Sequence, residues 1–123
     1  VNVALWVAQA LLAVVFLGAG ASKLTRPYEA IASRMGYARE FSAGQMRAIG
    51  LVEVLGAVGV VGPPLVGVAP GLAVAAAYGL ALDMAGAMAT HLRRREYGMM
   101  AGNAVLLLLA TFVAYGRMAL VPL

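Results

Sequence analysis

Four apolar runs, each near the length needed to cross a bilayer, dominate this chain of 123 residues. They cover roughly 3–21, 46–61, 71–91 and 101–120. A helix crossing the hydrocarbon core takes about 20 residues, within a range of about 17–25. The runs are continuous and rich in Ala and Leu, without period-2 alternation, so they read as helices rather than strands. Composition agrees, at 63% hydrophobic and 11% charged, where an ordinary soluble domain has roughly half and a quarter. A soluble fold this small could not hide so much apolar surface, whereas lipid accepts it directly. The expected fold is all-α: one membrane-embedded, up-down-up-down four-helix bundle over 1–123.

The breaks between runs carry their own signals. Ser42-Ala43-Gly44-Gln45 reads as a capping box opening the second span, with Ser42 as N-cap and Gln45 at N3. Gly62-Pro63-Pro64 is expected to end that span, because Pro lacks the amide donor and clashes with the preceding turn. Pro70 precedes the third span, Arg93-Arg94-Arg95-Glu96 stops it, and Pro122 follows the fourth. Short connections make neighbouring helices antiparallel. The stretch 25–44 is the sizeable segment outside the core. Tyr28, Ile31, Ala32 and Met35 recur there at helical spacing, opposite Glu29, Ser33 and Arg34. It reads as a short helix in the headgroup region. The first span has a rival reading as a signal peptide, since Ala19-Gly20-Ala21 is an A-x-A site. No Lys or Arg precedes it and the run is long for an h-region, so a span is the better reading.

Charge sets orientation. Of nine basic residues, Lys23, Arg26, Arg34, Arg39, Arg47, Arg93, Arg94 and Arg95 lie in or beside the first and third loops. Arg117 alone lies toward the other side. The positive-inside rule makes the basic side cytoplasmic, in an inner (plasma) membrane, with both termini outside. Trp6 and Tyr115 then fall near the outer interface, and Tyr28, Tyr37 and Tyr97 near the inner one. The net charge of +4 is explained by topology, and no nucleic-acid partner is expected.

Several chemistries are excluded. There is no Cys, so disulfides, thiol redox chemistry and thiolate metal sites are out. A single His argues against structural zinc or bis-His haem, and no metal site is expected. Neither a nucleotide nor a flavin fingerprint is present. With no intrinsic cofactor, any redox role borrows one from a partner or from membrane quinone.

The candidate site comes from polar residues inside apolar runs. An ionisable group at membrane depth costs about 2.5–3.5 kcal/mol on insertion scales and normally faces the bundle interior. Glu53 lies seven residues into the second span and Asp83 eight residues back from His91 in the third. At 1.5 Å per residue, both sit about 10–12 Å below the basic surface, near enough in depth to meet. Two close carboxylates do not both ionise easily, which makes a proton-sharing acid/base pair. Lys23 closes the first span and is the nearest cation, a counter-ion for Glu53 if it points inward. His91 and Asn103 share the same half of the bilayer. The plainer reading of His91 is a solvated helix end beside three Arg. Tyr78 and Gln9 are further polar groups, deeper or more outward. The ligand-binding candidates are thus Lys23, Glu53, Asp83, His91, Asn103 and Tyr78. The alternative for the cluster is a satisfied polar network fixing helix register. Gly50, Gly56 and Gly59 on the second span, and Gly79 and Gly86 on the third, read as close-packing positions.

These residues also carry a resemblance. Gly18-Ala19-Gly20-Ala21-Ser22-Lys23-Leu24, the G-x-x-E-x-x-G-A of Gly50 to Ala57, and the G-A-x-x-x-H-L-R of Gly86 to Arg93 resemble, in order and spacing, the DoxX-like family of small four-helix membrane proteins. The likeness runs over nearly the whole chain. It supports Lys23, Glu53 and His91, while Asp83 stands where that family leads one to expect an apolar residue. What it implies is a membrane subunit of a thiosulfate:quinone type oxidoreductase, or a partner of redox and sulfur-transfer proteins. The architecture is also similar to sterol isomerase and sigma-2 type proteins, which is an analogy of fold alone. Three classes follow: a protein binding a lipophilic quinone- or terpenoid-like molecule or serving as an accessory subunit, a membrane isomerase or quinone-linked oxidoreductase, and a self-associating homo-oligomeric transporter.

Overall fold

A computed structural model describes all residues, 1–123. The chain is helical without strands: α1 (Asn2–Thr25), α2 (Tyr28–Arg34), a 3-10 turn (Gly36–Glu40), α3 (Ala43–Val66), α4 (Leu72–Arg93), α5 (Tyr97–Tyr115) and a closing π-helical turn (Gly116–Leu120). Four helices are long and apolar enough to cross a membrane: α1, α3, α4, and α5 with its π turn. Their outer faces are as apolar as their inner ones. Leu82 is 74% exposed, Val14 73% and Leu108 70%, while Leu12, Phe16, Val60, Leu80 and Val113 fill the interior. An outside this apolar suits lipid, where the backbone is satisfied within each helix.

The helices meet through small residues and a few polar bonds. Gln9 of α1 reaches Val60 of α3, and Lys23 of α1 reaches Glu53 of α3, so the pairing runs in opposite senses along the two helices. The closest approach is at Gly20 and Gly50. A Cβ on Gly20 would lie 2.6 Å from the Gly50 carbonyl oxygen and 2.8 Å from the Val54 nitrogen. Gly56 fits against Leu80 and Gly59 against Ala76, joining α3 to α4. Such contacts let backbones approach where packing drives association. Gly79 and Gly86 do not join them, because a Cβ on either would meet nothing within 4 Å. The expectation that they pack is corrected: both face open space.

The start of α3 follows its sequence signal. Ser42 Oγ accepts from the Gln45 amide at 3.1 Å, and Gln45 Oε1 accepts from the Ser42 amide at 2.8 Å. Its end does not. Gly62-Pro63-Pro64 reads as a helix break, yet α3 continues through both prolines to Val66 and stops at Gly67, whose φ of 71° is left-handed. The reason is visible one turn back. Pro64 has no amide for the Val60 carbonyl, and Gln9 Nε2 donates to that carbonyl instead, at 2.6 Å. A side chain from another helix thus replaces the missing backbone bond, which is how prolines are tolerated within spans.

The segment between α1 and α3 folds as two short helical pieces. Ile31, Ala32, Ala38 and Met46 form a small second core with Tyr28, Tyr37, Phe41 and Ile49 packed against it. Glu29, Ser33 and Arg34 face outward. The Tyr28 hydroxyl lies within hydrogen-bond distance of the Ala38 and Phe41 carbonyls, at 3.1 and 2.6 Å. This segment covers one end of the bundle.

Candidate functional site

At that covered end, all four long helices turn residues at helical spacing toward a shared cavity of about 480 Å³. From α1 come Phe16, Ala19 and Lys23, and from α3 Ile49 and Glu53. From α4 come Asp83, Ala87 and His91, and from α5 Asn103 and Leu106. Met35, Tyr37 and Phe41 of the covering segment complete the wall. The lining is mainly apolar, with a few polar groups among it. A volume of this size falls in the range of about 300–1,000 Å³ typical of small-molecule sites.

The central polar contact is an ion pair. Lys23 Nζ lies 2.7 Å from Glu53 Oε1, with side chains 11% and 4% exposed. Its position follows from helix packing: Gly20 and Gly50 bring α1 and α3 together, and the Lys23 stem passes over Gly50. Arg47, one turn nearer the end of α3, donates to the Lys23 backbone carbonyl. That bond ties the last turn of α1 to α3. Burial makes the pair demanding, since each charge lost from water needs its partner.

Asp83 stands against Glu53, close enough for the two carboxyls to interact. Glu53 is its hydrogen-bonding partner, and its Oδ2 finds no other donor in the protein. Asn103 Nδ2 is buried without any hydrogen-bond partner in the protein. Buried polar atoms are nearly always paired, and each exception asks for an explanation.

His91 is not a solvated terminus. It is 3% exposed, and its Nδ1 lies 2.9 Å from Glu96 Oε1. The turn after α4 makes this contact. Arg95 adopts a left-handed φ of 56°, and the Glu96 amide folds back to the His91 carbonyl at 2.9 Å. The hydrogen bond from His91 holds the Glu96 carboxyl below its ordinary value, with Arg94 adding to the effect. On the other side, Tyr37 meets the His91 ring edge-on at 4.9 Å between centroids. Burial pushes the Tyr37 phenol above its ordinary value of 10.0. Glu40 pairs with Arg93 and Arg94 at 3.3 and 3.4 Å, linking the covering segment to the same turn.

Five of the six sequence candidates therefore line one cavity: Lys23, Glu53, Asp83, His91 and Asn103. Tyr78 does not. It is 47% exposed, and its hydroxyl contacts Met118 Sδ at 3.7 Å. Five residues before Asp83 on one helix, it is turned about 140° away from that face and lies about 7.5 Å along the axis. Sequence places Tyr37 only at the interface, because its approach to His91 depends on how the 25–44 segment folds back.

Gln9 belongs to a different cluster, away from the cavity. Its Oε1 accepts from Arg117 Nε at 2.8 Å, and Arg117 Nη1 donates to Asn2 Oδ1 at 2.7 Å. Arg117 is 2% exposed and its guanidinium carbon lies 5.3 Å from the centre of the Trp6 ring. Together with the Gln9 bond to Val60, this cluster joins α1, α3 and the end of α5.

No curated protein and no solved structure matches the chain. A model of the DoxX-like family does match it, over residues 7–113. The match takes in every cavity residue named above, and the four apolar helices are the membrane spans such a chain requires. The chain is an integral membrane protein and belongs to the DoxX-like family.

Proposed function

We propose that the protein binds an amphipathic, lipophilic small molecule in this cavity, with the molecule's polar head against Lys23, Glu53, Asp83, His91 and Asn103 and its apolar body along Phe16 and Leu106. The observation that carries the reading is a mainly apolar cavity on which Lys23, Glu53, Asp83, His91 and Asn103 converge, with Asn103 Nδ2 left without a partner in the protein. A quinone- or terpenoid-like molecule has the right character. Its hydrocarbon part suits the lining, and Asn103 supplies a donor for a head-group oxygen. In such a role the protein is a binding or accessory membrane subunit, and any redox chemistry belongs to the quinone or to a redox or sulfur-transfer partner.

The basic side is proposed as cytoplasmic, in an inner (plasma) membrane, with both termini outside. The cavity then opens into the cytoplasmic half of the bilayer. The segment at 25–44 lies along the headgroups.

A second reading, a membrane enzyme, is favoured by one observation: Asp83 stands against Glu53 while Lys23 holds Glu53 from the other side. Two acids with unequal partners are the arrangement from which acid/base roles separate.

The cavity itself gives the test. Gly86 lines it, and a Cβ there would meet nothing within 4 Å. Gly86→Leu should therefore fill the space without disturbing the helices. Purified wild type in detergent is expected to bind decylubiquinone or farnesol saturably, with a raised melting temperature. Gly86→Leu should melt like the unliganded wild type and bind neither. Equal binding by both proteins would refute the assignment of the cavity as the site.

A further inference from the structure

We infer that the covering segment is a lid, hinged on α3 and latched to the turn after α4, and that the ligand enters and leaves beneath its latched edge. The inference rests on the binding role proposed above and adds the route by which the site is reached.

The two sides of the segment are held by different forces. Toward α3 it shares a packed core: Ile31, Ala32 and Ala38 are buried together with Met46, and Ile49 packs against them. Water does not reach these contacts, so this side serves as the hinge. Toward α4 the contacts are polar. Glu40 meets Arg93 at 3.3 Å and Arg94 at 3.4 Å, with side chains 32%, 63% and 33% exposed in that order. The Arg94 guanidinium also lies against Gly36, where an added Cβ would be 2.7 Å from its Nη2. Exposed ion pairs are weak and are screened by salt, so this edge is the one that opens.

The same edge closes the cavity. Met35 and Tyr37 line it, and Tyr37 meets His91, another lining residue, edge-on. Met35 is nonetheless 39% exposed, so little protein separates the cavity from the outside here. The bundle's half of the latch is fixed, because Glu96 holds both Arg94 and His91, at 3.1 and 2.9 Å. Movement therefore falls to the segment. An amphipathic ligand gains from this route. The basic residues mark the headgroup level, and a polar head entering there avoids the hydrocarbon it would meet on passing between the spans.

The test follows exchange of radiolabelled decylubiquinone on the purified protein in lipid nanodiscs. Glu40→Gln removes both ion pairs through one partly exposed side chain. It should speed association and release alike, by about three- to tenfold for two weak pairs lost, and leave affinity unchanged. Raising NaCl from about 50 to about 500 mM should speed exchange in wild type and have no effect on Glu40→Gln. The chain has no Cys of its own, so the latch can be locked. Glu40→Cys with Arg93→Cys, bridged by bismaleimidoethane, should exchange more slowly than wild type, and the unbridged double variant should exchange like Glu40→Gln. A bridged protein that exchanges as fast as its unbridged form would overturn the lid and send the ligand between the spans, leaving the site in place. Weaker affinity in Glu40→Gln with unchanged association would overturn it too, and would give Glu40 a part in holding the ligand. Wild type that binds no decylubiquinone would remove the site and the lid with it.

Discussion

Removing the Lys23–Glu53 pair one side at a time, and then whole, separates a ligand site from a scaffold. The two charges are 2.7 Å apart, with side chains 11% and 4% exposed, so neither partner is rescued by bulk water. Stranding one such charge costs about 3–5 kcal/mol. At about 3–5 °C per kcal/mol for a chain of this size, Glu53→Leu or Lys23→Leu alone should lower the melting temperature by roughly 10–25 °C. The double variant removes the desolvation cost along with the attraction. A leucine at position 23 keeps the apolar stem that lies over Gly50, so the α1–α3 contact survives. Replacement of a buried pair by packed apolar residues is neutral, or stabilising by up to about 4 kcal/mol. The double variant should therefore melt at or above wild type while losing affinity for farnesol. The assay is thermal unfolding of wild type, both singles and the double in one detergent, with dialysis binding alongside. A double variant that melts as low as the singles would show that the pair holds the bundle together. A double variant that binds farnesol like wild type would show that the pair lies outside the site.

Three other outcomes follow from particular contacts. Gly20→Ala places a methyl 2.6 Å from the Gly50 carbonyl oxygen and 2.8 Å from the Val54 nitrogen, backbone atoms that yield only if the helices separate. It should destabilise by about 1–3 kcal/mol, whereas Gly86→Ala, with open space at its Cβ, should melt like wild type; equal melting of the two would refute the close approach of α1 and α3. Because His91 holds the Glu96 carboxyl below its ordinary 4.5, that contact stabilises the fold fully above this value and is lost as pH falls through the lowered one. Wild type should lose stability on acidification below about pH 4.5, and Glu96→Gln should lose less over the same interval; parallel curves would refute the linkage. For orientation, alkaline phosphatase fused after Leu123 should be active and a fusion within 93–96 inactive, and the reverse pattern would invert the proposed topology.

Much of the site is legible in the amino-acid sequence because lipid is an unforgiving solvent. Glu53 and Asp83 stand out in apolar runs, and their equal distance from the basic boundary puts them at one depth. The capping box at Ser42 and Gln45 is local chemistry and forms as its sequence spells it. Tyr78 shows the limit of that reasoning: its polarity and approximate depth are visible in the sequence, but the face it occupies depends on how α4 is rotated against its neighbours.

By itself the sequence determined the helical class, the membrane environment, the family and the short set of residues able to pay for a place inside the bilayer. These follow from composition, run length and local spacing, which act along the chain. Only the tertiary structure decided what those residues do to one another. Pro64 sits within α3 because Gln9, fifty-one positions from Val60 in the chain, donates to the carbonyl that Pro64 leaves without an amide. His91 is buried because Glu96 folds back on one side and Tyr37 closes over the other. Gly50 packs while Gly86 borders open space, although both are small residues within a span. Asp83 meets Glu53, while Asn103 Nδ2 is left unpaired. Whether a polar atom finds a partner is a property of helix rotation and approach, and no local pattern encodes it.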